Sequence, residues 1–310
     1  MHCPVCECDA WRDFLVTADM YTGRPYSLSR CDQCGMVRTA DGGESPSKSL
    51  YEYGGSCDAG SRFGPMQWVL RVFRRARRRA LRARRPGCAL DVGCGDGSFL
   101  TALARQGWDV SGTELSGSIA TTAQQCLGER VHVGKIEDMG FAEASFDLIT
   151  FWHVLEHLEN PARALAEARR LVKADGQVVV AVPNIESWQA RLFKQDWLHL
   201  DVPRHRWHFS ARTLADLADR SHFHVESIRH FSLEYGPFAM IQGMATTAGL
   251  GHCLFTRLVR LTPAQLIREP LFWAHIPLVV FAAVPSLFLE WGAAICGRGG
   301  AVVMTLRPKA

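Results

Sequence analysis

Between residues 86 and 234 the chain alternates short apolar runs with stretches of helical period, the pattern of strands and helices taken in turn. Residues 88–92, 108–113, 130–133, 146–151, 177–182 and 225–231 read as strands, and 301–306 reads as a closing strand. Helices are predicted over 97–106, from 161 to about 173, and from a Ser210 cap to Arg220. The second has the clearest start, because Asn160 can cap the first turn and Pro161 fits the first helical position. Pro183 stops the fifth strand. This order predicts an α/β fold, doubly wound around a mostly parallel sheet.

The flanks depart from that pattern. Residues 1–40 are rich in cysteine, and 41–65 form a Gly/Ser/Pro/Tyr stretch with the character of a linker. Residues 71–85 hold nine arginines and no acid, on a predicted helix. Residues 235–296 are strongly apolar. The expected organisation is a ribbon module over 1–40, a linker and basic helix over 41–85, and a central domain of 86–234 completed by 297–310. An apolar helical insertion fills 235–296.

Composition narrows the class. At 310 residues, 47% hydrophobic and 21% charged, the chain is globular rather than disordered. The net charge of +4 conceals the arginine run, without which the remainder stands at −5. A surface that coats nucleic acid in general is therefore not expected, and any anion-binding footprint is local. The opening Met-His-Cys-Pro has no secretory character. Eleven cysteines in such a chain predict thiols or metal ligands in the cytoplasm, not a disulfide framework.

Four of those cysteines have metal-ligand spacing. Cys3-Pro-Val-Cys6 and Cys31-Asp-Gln-Cys34-Gly35 form two C-x2-C knuckles separated by 24 residues. Such a pair can present four thiolates to a structural zinc ion in a closed tetrahedral shell. Cys8 is a spare sulfur that competes with Cys6.

The sharpest motif is Leu90-Asp91-Val92-Gly93-Cys94-Gly95-Asp96-Gly97-Ser98. A strand enters a glycine-rich turn and leaves it as a helix, which is where doubly wound sheets bind ligands. A dinucleotide fingerprint would require glycine at 98, where serine stands. The next strand ends in Glu114, 23 residues after Asp91, a spacing suited to a carboxylate gripping two ribose hydroxyls.

With Ser145-Phe-Asp-Leu-Ile-Thr150 ending the fourth strand, these segments resemble the ordered motifs of the class I S-adenosylmethionine-dependent methyltransferases. The resemblance covers residues 86–234 and the last strand. It implies a Rossmann-like seven-stranded sheet whose last strand is antiparallel, with S-adenosylmethionine as cofactor. By this likeness Asp91, Gly93 and Gly95 belong to the cofactor site, Glu114 binds the ribose, and Phe151 borders the sulfonium, where an aromatic face favours a cation. Many relatives carry a Gly-Asp pair after the third strand. This chain has Gly134-Lys135, which moves adenine recognition to Ile136, Glu137 or Asp138.

Two histidine-rich segments follow on the acceptor side. His153-Val-Leu-Glu156-His157 sets three potential ligands on one helical face. It resembles the ubiquinone-biosynthesis O-methyltransferases, where acidic groups at these positions hold a divalent ion, although His153 replaces the first carboxylate. The alternative is that Glu156 and His157 merely brace a helix. The second segment, Asp201-Val-Pro203-Arg204-His205-Arg-Trp207-His208-Phe209, resembles a branch of small-molecule methyltransferases. Methylating a hydroxyl requires removal of its proton, and histidine suits that task near neutral pH. His205 is the first candidate base and His208 the second, with His153 a further catalytic candidate through a divalent ion near His153, Glu156 and His157. Arg204 is expected to pair with Asp201 or with an acidic acceptor. A polar loop pinned by aromatic packing is the competing reading.

Residues 271–289 contain no charged side chain but include Pro277 and Pro285. The prolines argue for a hairpin dipping into one leaflet or for buried helices around the acceptor, rather than a straight span. A homodimer interface is the alternative. The arginine run is either a solvated face or a contact for lipid headgroups or a phosphorylated substrate.

Together these readings predict a cytoplasmic S-adenosylmethionine-dependent methyltransferase, peripheral on the inner membrane face, acting on oxygen of a small or lipid-linked acceptor. That class includes a quinone precursor, a glycan or a glycolipid. RNA or DNA methylation and a non-catalytic zinc-ribbon adaptor are the rivals. The fourth strand does not lead into the Asn/Asp-Pro-Pro-aromatic pocket of base methylation.

Overall fold

The computed structural model describes residues 2–40, 77, 85–232, 236–249, 268 and 270–309. Apart from Arg77 and Arg85, the arginine run lies outside the described residues, as does the 41–65 linker. In chain order the strands are β1 (Trp11–Ala18), β2 (Pro25–Cys31), β3 (Val37–Thr39), β4 (Cys88–Val92), β5 (Asp109–Glu114), β6 (Val131–Val133), β7 (Phe146–Trp152), β8 (Val172–Pro183), β9 (Trp207–His208), β10 (Phe223–Arg229) and β11 (Ala301–Pro308). The helices are α1 (Ser98–Ala104), α2 (Gly117–Leu127), α3 (Pro161–Leu171), α4 (Trp188–Phe193), α5 (Ala211–Arg220), α6 (Gly236–Thr247) and α7 (Pro270–Ile295).

The chain divides into two compact units, one of residues 45–182, 212–228 and 303–310, the other of 1–44, 183–211 and 229–302. The first is built on a seven-stranded sheet in the order β10-β11-β8-β7-β4-β5-β6. Pairings β4–β5, β4–β7, β5–β6 and β7–β8 are parallel, and the last strand runs against them. This is the doubly wound α/β sheet expected from the alternation of elements. Central strands are covered on both faces, so their sequences are largely apolar, with polar interruptions such as Asp91 and Thr150 that bond each other. In β8, residues 177–182 are all buried. Leu148 of β7 is wholly buried with Phe99, Leu103, Trp108 and Val179 in the core of this unit. Asn160 caps α3 as predicted, its side chain accepting from the Arg163 N–H at 3.0 Å with Pro161 in the first turn.

The second unit starts from a small antiparallel sheet, β1-β2-β3-β9. Its fourth strand comes from far along the chain, with Val37 opposite His208 and Arg38 opposite Trp207. The cysteine-rich segment therefore shares a sheet with the histidine-rich loop. Tyr26, Leu28, Val37, Phe193, Trp197, Leu200, Val202 and Met240 form the core of this unit.

The hairpin expected over 271–289 is not present. Residues 270–295 form one continuous helix through both prolines. It is fastened on its inner side by the fully buried Glu290, whose carboxylate accepts from the Gly300 N–H and from Gln189 Nε2, each at 2.7 Å. Gln189 Nε2 also donates to the Gly236 carbonyl at 2.7 Å, and Gln189 Oε1 accepts from Trp197 Nε1 at 3.3 Å. This network satisfies the buried carboxylate and anchors the C-terminal part of the helix to its own unit. No described helix is long and apolar enough to cross a membrane.

Strand burial predicts a steep contrast in stability. Leu148→Ala, at a position with no exposed surface, should cost roughly 2–5 kcal/mol in urea unfolding. Val133→Ala, on edge strand β6 and 51% exposed, should cost below about 0.5 kcal/mol. Equal losses would contradict the strand order.

Candidate functional site

At the carboxyl edge of the seven-stranded sheet, β4 ends in the turn Gly93-Cys94-Gly95-Asp96-Gly97, where all three glycines have positive φ. At Gly95 (φ +56°) a Cβ would meet nothing within 4 Å, so only conformation dictates glycine there. At Gly93 contact adds to conformation, since a Cβ would stand 2.5 Å from Val154 Cγ2.

Glu114 sits at the end of the neighbouring strand. Its Oε2 accepts from the Gly95 N–H at 3.1 Å and its Oε1 from the Ser116 N–H at 3.0 Å. The carboxylate is thus fixed against the glycine turn by two backbone donors. An ionised carboxylate has about four acceptor positions, so about two remain for a ligand that presents paired hydroxyls. The half-buried Glu114 fits the ribose role on this observation.

Asp91 lies just before the turn, buried, with Oδ1 accepting from the Thr150 hydroxyl at 2.5 Å. Burial pushes its carboxyl up to about 7, against the pull of the Thr150 hydrogen bond and the Arg77 charge. Glu114 and Asp96 add to the upward shift. Asp91 thereby joins β4 to β7 behind the turn. Phe151 is wholly buried in β7, in register with Val92 and Val180. Beyond β6, Ile136 is buried, Glu137 is half-buried and Asp138 is exposed on a short 3-10 turn. Lys135, at the place of the missing aspartate, pairs with Glu159 at 3.1 Å.

Two residues of this edge escaped the motif reading. Trp152 packs edge-on against Phe99 with ring centroids 5.7 Å apart. The guanidinium of Arg77 lies 5.5 Å from the centroid of the Trp152 ring. One arginine of the basic run therefore belongs to the carboxyl edge of the sheet.

The segment 153–158 is a series of turns, not the helix that was expected. The cause is His153, which has φ +56° and gives its N–H to the Ala181 carbonyl at 2.9 Å. The chain turns at once, bringing Val154 over Gly93. His153 Nδ1 is 3.5 Å from Oε1 of the buried Glu156, and His157 is half-buried.

In the other unit, His205 and His208 lie with ring centroids 6.3 Å apart, both buried. His205 Nδ1 is 2.8 Å from the His199 carbonyl, so this nitrogen carries the hydrogen and Nε2 carries the lone pair of the neutral ring. Nε2 is 3.9 Å from Asp201 Oδ2. Thr39 donates its hydroxyl to the His205 carbonyl at 2.6 Å, and its oxygen meets His208 Nε2 at 3.1 Å. His208 therefore donates through Nε2 to Thr39 and is braced by the strand it pairs with. Arg204 does find Asp201, with Nε to Oδ1 at 2.8 Å, and also Asp19, with Nη2 to Oδ1 at 3.1 Å. Burial alone would lower its pKa, but these two carboxylates raise it and hold the guanidinium charged. Asp201 and Trp197 also line an open cleft with Thr17, Gln195, Gln242 and Thr246, and no lysine or arginine lines it.

The four knuckle sulfurs converge. Cys3 Sγ is 3.4 Å from Cys34 Sγ, Cys6 Sγ is 3.5 Å from Cys31 Sγ, and all four lie within 4.8 Å of one another. A tetrahedral zinc site has Zn–S bonds of about 2.3 Å and hence S–S edges of about 3.8 Å, which these spacings fit. Burial acts to raise the Cys31 thiol, yet hydrogen bonds from Cys34 and Gln33 backbone groups and from the Cys6 and Cys34 sulfurs bring it down to about 7. Cys8 stands outside the cluster, its sulfur accepting from the Ala10 N–H at 3.4 Å.

Sheet order, glycine turn and strand-end carboxylate define a doubly wound nucleotide-cofactor domain. A methyltransferase-domain family model matches residues 66–228, more than half of the chain. The chain belongs to the class I S-adenosylmethionine-dependent methyltransferases. It is 32% identical over 124 residues to a ubiquinone biosynthesis O-methyltransferase of Methylococcus capsulatus, covering 37% of this chain and 52% of the relative. It is 37% identical over 101 residues to the protein of that name from Dechloromonas aromatica, covering 31% and 44%. The chain thus spans about half the length of the curated relatives it matches. Among solved structures, a TehB-like SAM-dependent methyltransferase of Corynebacterium glutamicum aligns at 25% identity and TM-score 0.40, covering 54% of this chain and 84% of that one.

The raised carboxyl of Asp91 gives a pH signature. In the folded state it binds its proton up to about pH 7, well above the range of an ordinary carboxyl. Its contribution is greatest in acid and is lost as pH rises through that window. Asp91→Asn, which keeps an acceptor for Thr150, should gain Tm relative to wild type as pH rises from 5 to 8. A constant difference would show that Asp91 is ionised throughout.

Proposed function

We propose that this chain transfers a methyl group from S-adenosylmethionine to an oxygen of a small or lipid-linked acceptor. The observation that supports the cofactor half most strongly is Glu114, fixed at the end of β5 by the Gly95 and Ser116 N–H groups with acceptor capacity to spare. When bound, S-adenosylmethionine supplies an electrophilic methyl on a sulfonium. Glu114 would take the ribose hydroxyls, and the backbone of the Gly93–Gly97 turn would approach the cofactor closely where no side chain intervenes. Ile136 and Glu137 would border the adenine.

Oxygen as the methylated atom is supported by the ubiquinone-biosynthesis relatives, whose likeness covers part of their length. The proton taken from the acceptor is assigned to His205. Its Nδ1 hydrogen is committed to the His199 carbonyl, which fixes the tautomer and leaves the Nε2 lone pair as the basic site. Asp201 near Nε2 would stabilise the imidazolium that forms. His208 is read as a brace for this histidine through Thr39. Arg204 keeps Asp201 in place and, carrying two carboxylates already, is not assigned to the acceptor. The His153–Glu156 pair is read as support for the turn against Gly93, with His157 beside it. The same residue types could hold a divalent ion, and no step is assigned to one.

The Cys3, Cys6, Cys31 and Cys34 cluster is read as a structural zinc site that fixes the sheet on which His208 is paired. The purified chain should contain about one zinc by atomic absorption. Cys31→Ser should lose the metal and most stability of its sheet; full folding of that variant without metal would remove the zinc reading.

Two substitutions separate binding from chemistry. Glu114→Ala should weaken S-adenosylmethionine binding by about 100-fold or more, the effect of losing two hydrogen bonds to a charged group. His205→Asn should lower kcat by about 100-fold or more while leaving cofactor affinity within a factor of two. Methyl transfer from labelled cofactor into host extract, partitioned into organic and aqueous phases, reads out both. Undiminished transfer by His205→Asn would reassign the base.

A further inference from the structure

Helix α7 is oriented the reverse of an ordinary surface helix. Its buried positions between 281 and 295 are Ala282, Ser286, Glu290 and Ala293, which are small or polar. Large apolar side chains point outward: Phe281 is 78% exposed, Phe288 64%, Ile295 67%, and Val284, Leu287, Leu289 and Trp291 are exposed too. At about 100° per residue, the buried positions span an arc of about 80° and the exposed apolar ones an arc of about 200°. Trp273 near the start of the helix is exposed as well. Helix α4 extends the surface, because a side chain at Gly292 would meet its half-exposed Trp188 at 4.0 Å and its Leu192 is 64% exposed.

Patches this large on one face mark an interaction surface. The width of the arc selects the partner. A second protein surface packs against a stripe of roughly 100°, whereas a lipid phase wets every apolar side chain that projects. Charge agrees. The helix carries one charged residue, Glu290, and it is directed inward. Cations stand at its margins, with Arg268 exposed before its start and Arg191 and Lys194 exposed on or beside α4, while Arg298 after its end is paired with Glu186 at 2.8 Å. Tryptophans near both ends of an apolar stretch with flanking cations match the chemistry of a membrane interface with anionic headgroups.

We propose that the outer face of α7, continued by Trp188 and Leu192, lies along the surface of an anionic lipid bilayer with its large side chains among the acyl chains. Such a helix lies on the membrane and does not span it, consistent with the absence of a membrane-crossing helix among the described residues. The inward Glu290 network holds α7 to its own unit while the outer face contacts lipid. This inference does not depend on the methyl-transfer reading.

Flotation of the full chain with phosphatidylcholine vesicles, with and without 30% phosphatidylglycerol, tests it. Wild type should float with the anionic vesicles, and Phe281→Asp/Phe288→Asp should lower the bound fraction at least about tenfold. Both positions are exposed, and an unchanged circular dichroism spectrum with unchanged S-adenosylhomocysteine binding would show that the variant is folded. Arg268→Glu/Arg191→Glu should weaken binding to anionic vesicles and leave neutral ones unaffected. Failure of wild type to float with either composition overturns the proposal. So does a dimer in sedimentation velocity that the double-Asp variant splits while flotation stays the same, since a second copy would then cover the face.

Discussion

One carboxylate, held by two backbone N–H groups, organises the cofactor edge of this protein. Glu114 can bridge Gly95 and Ser116 only because β4 and β5 are adjacent and parallel, which brings both strand ends to the same edge. That adjacency requires Gly112, where a Cβ would stand 2.6 Å from Leu100 and 2.8 Å from the Cys94 sulfur. It also requires the positive φ of Gly93, Gly95 and Gly97, which turns the chain sharply from strand into helix. Buried behind this turn, Asp91 ties β4 to β7 through Thr150. These bonds fix the positions of the turn and of the carboxylate relative to the two strand ends.

The second unit is organised by a different economy. A cysteine-rich hairpin of forty residues cannot build a core of its own. It gains one from the loop 193–202 and helix α6, through Phe193, Trp197, Leu200 and Met240, and gains a fourth strand at residues 207–208. The polar side of the arrangement is equally shared. Asp19 from the hairpin and Asp201 from the loop hold the same Arg204, and Thr39 joins the His205 carbonyl to the His208 ring. Metal ligation at the knuckles would therefore bear on the position of both histidines through β3.

Much of the sheet was legible because a strand buried on both faces has to be apolar throughout. The Val178–Val182 part of β8 announces itself in this way, and Phe146–Trp152 does so with only Asp147 and Thr150 interrupting it. The glycine turn and Glu114 were legible because positive φ and a fixed strand spacing limit which residues can occupy those positions. What stayed hidden depended on distant partners. β9 is two residues long and exists only because β3 lies beside it. The turn at His153 follows from its N–H bond to Ala181 and the packing of Val154 on Gly93, and a helical reading of His153, Glu156 and His157 has no access to either contact. That 270–295 is one helix through Pro277 and Pro285, anchored near its end by the Gln189–Glu290–Gly300 network, is set by contacts joined across about a hundred residues and not by the local sequence. Composition could report that 271–289 is apolar, but only the fold shows that its large side chains face outward.

The central claim is that the Glu114 carboxylate receives the ribose of a nucleoside cofactor at the end of β5. Calorimetric titration of the wild-type chain with S-adenosylhomocysteine and with its 2′-deoxy analogue addresses it most directly. The account predicts one saturable site for the parent compound and binding at least about tenfold weaker for the analogue, which lacks one of the two hydroxyls. Equal affinity for the two compounds, or no saturable binding of either, would contradict it.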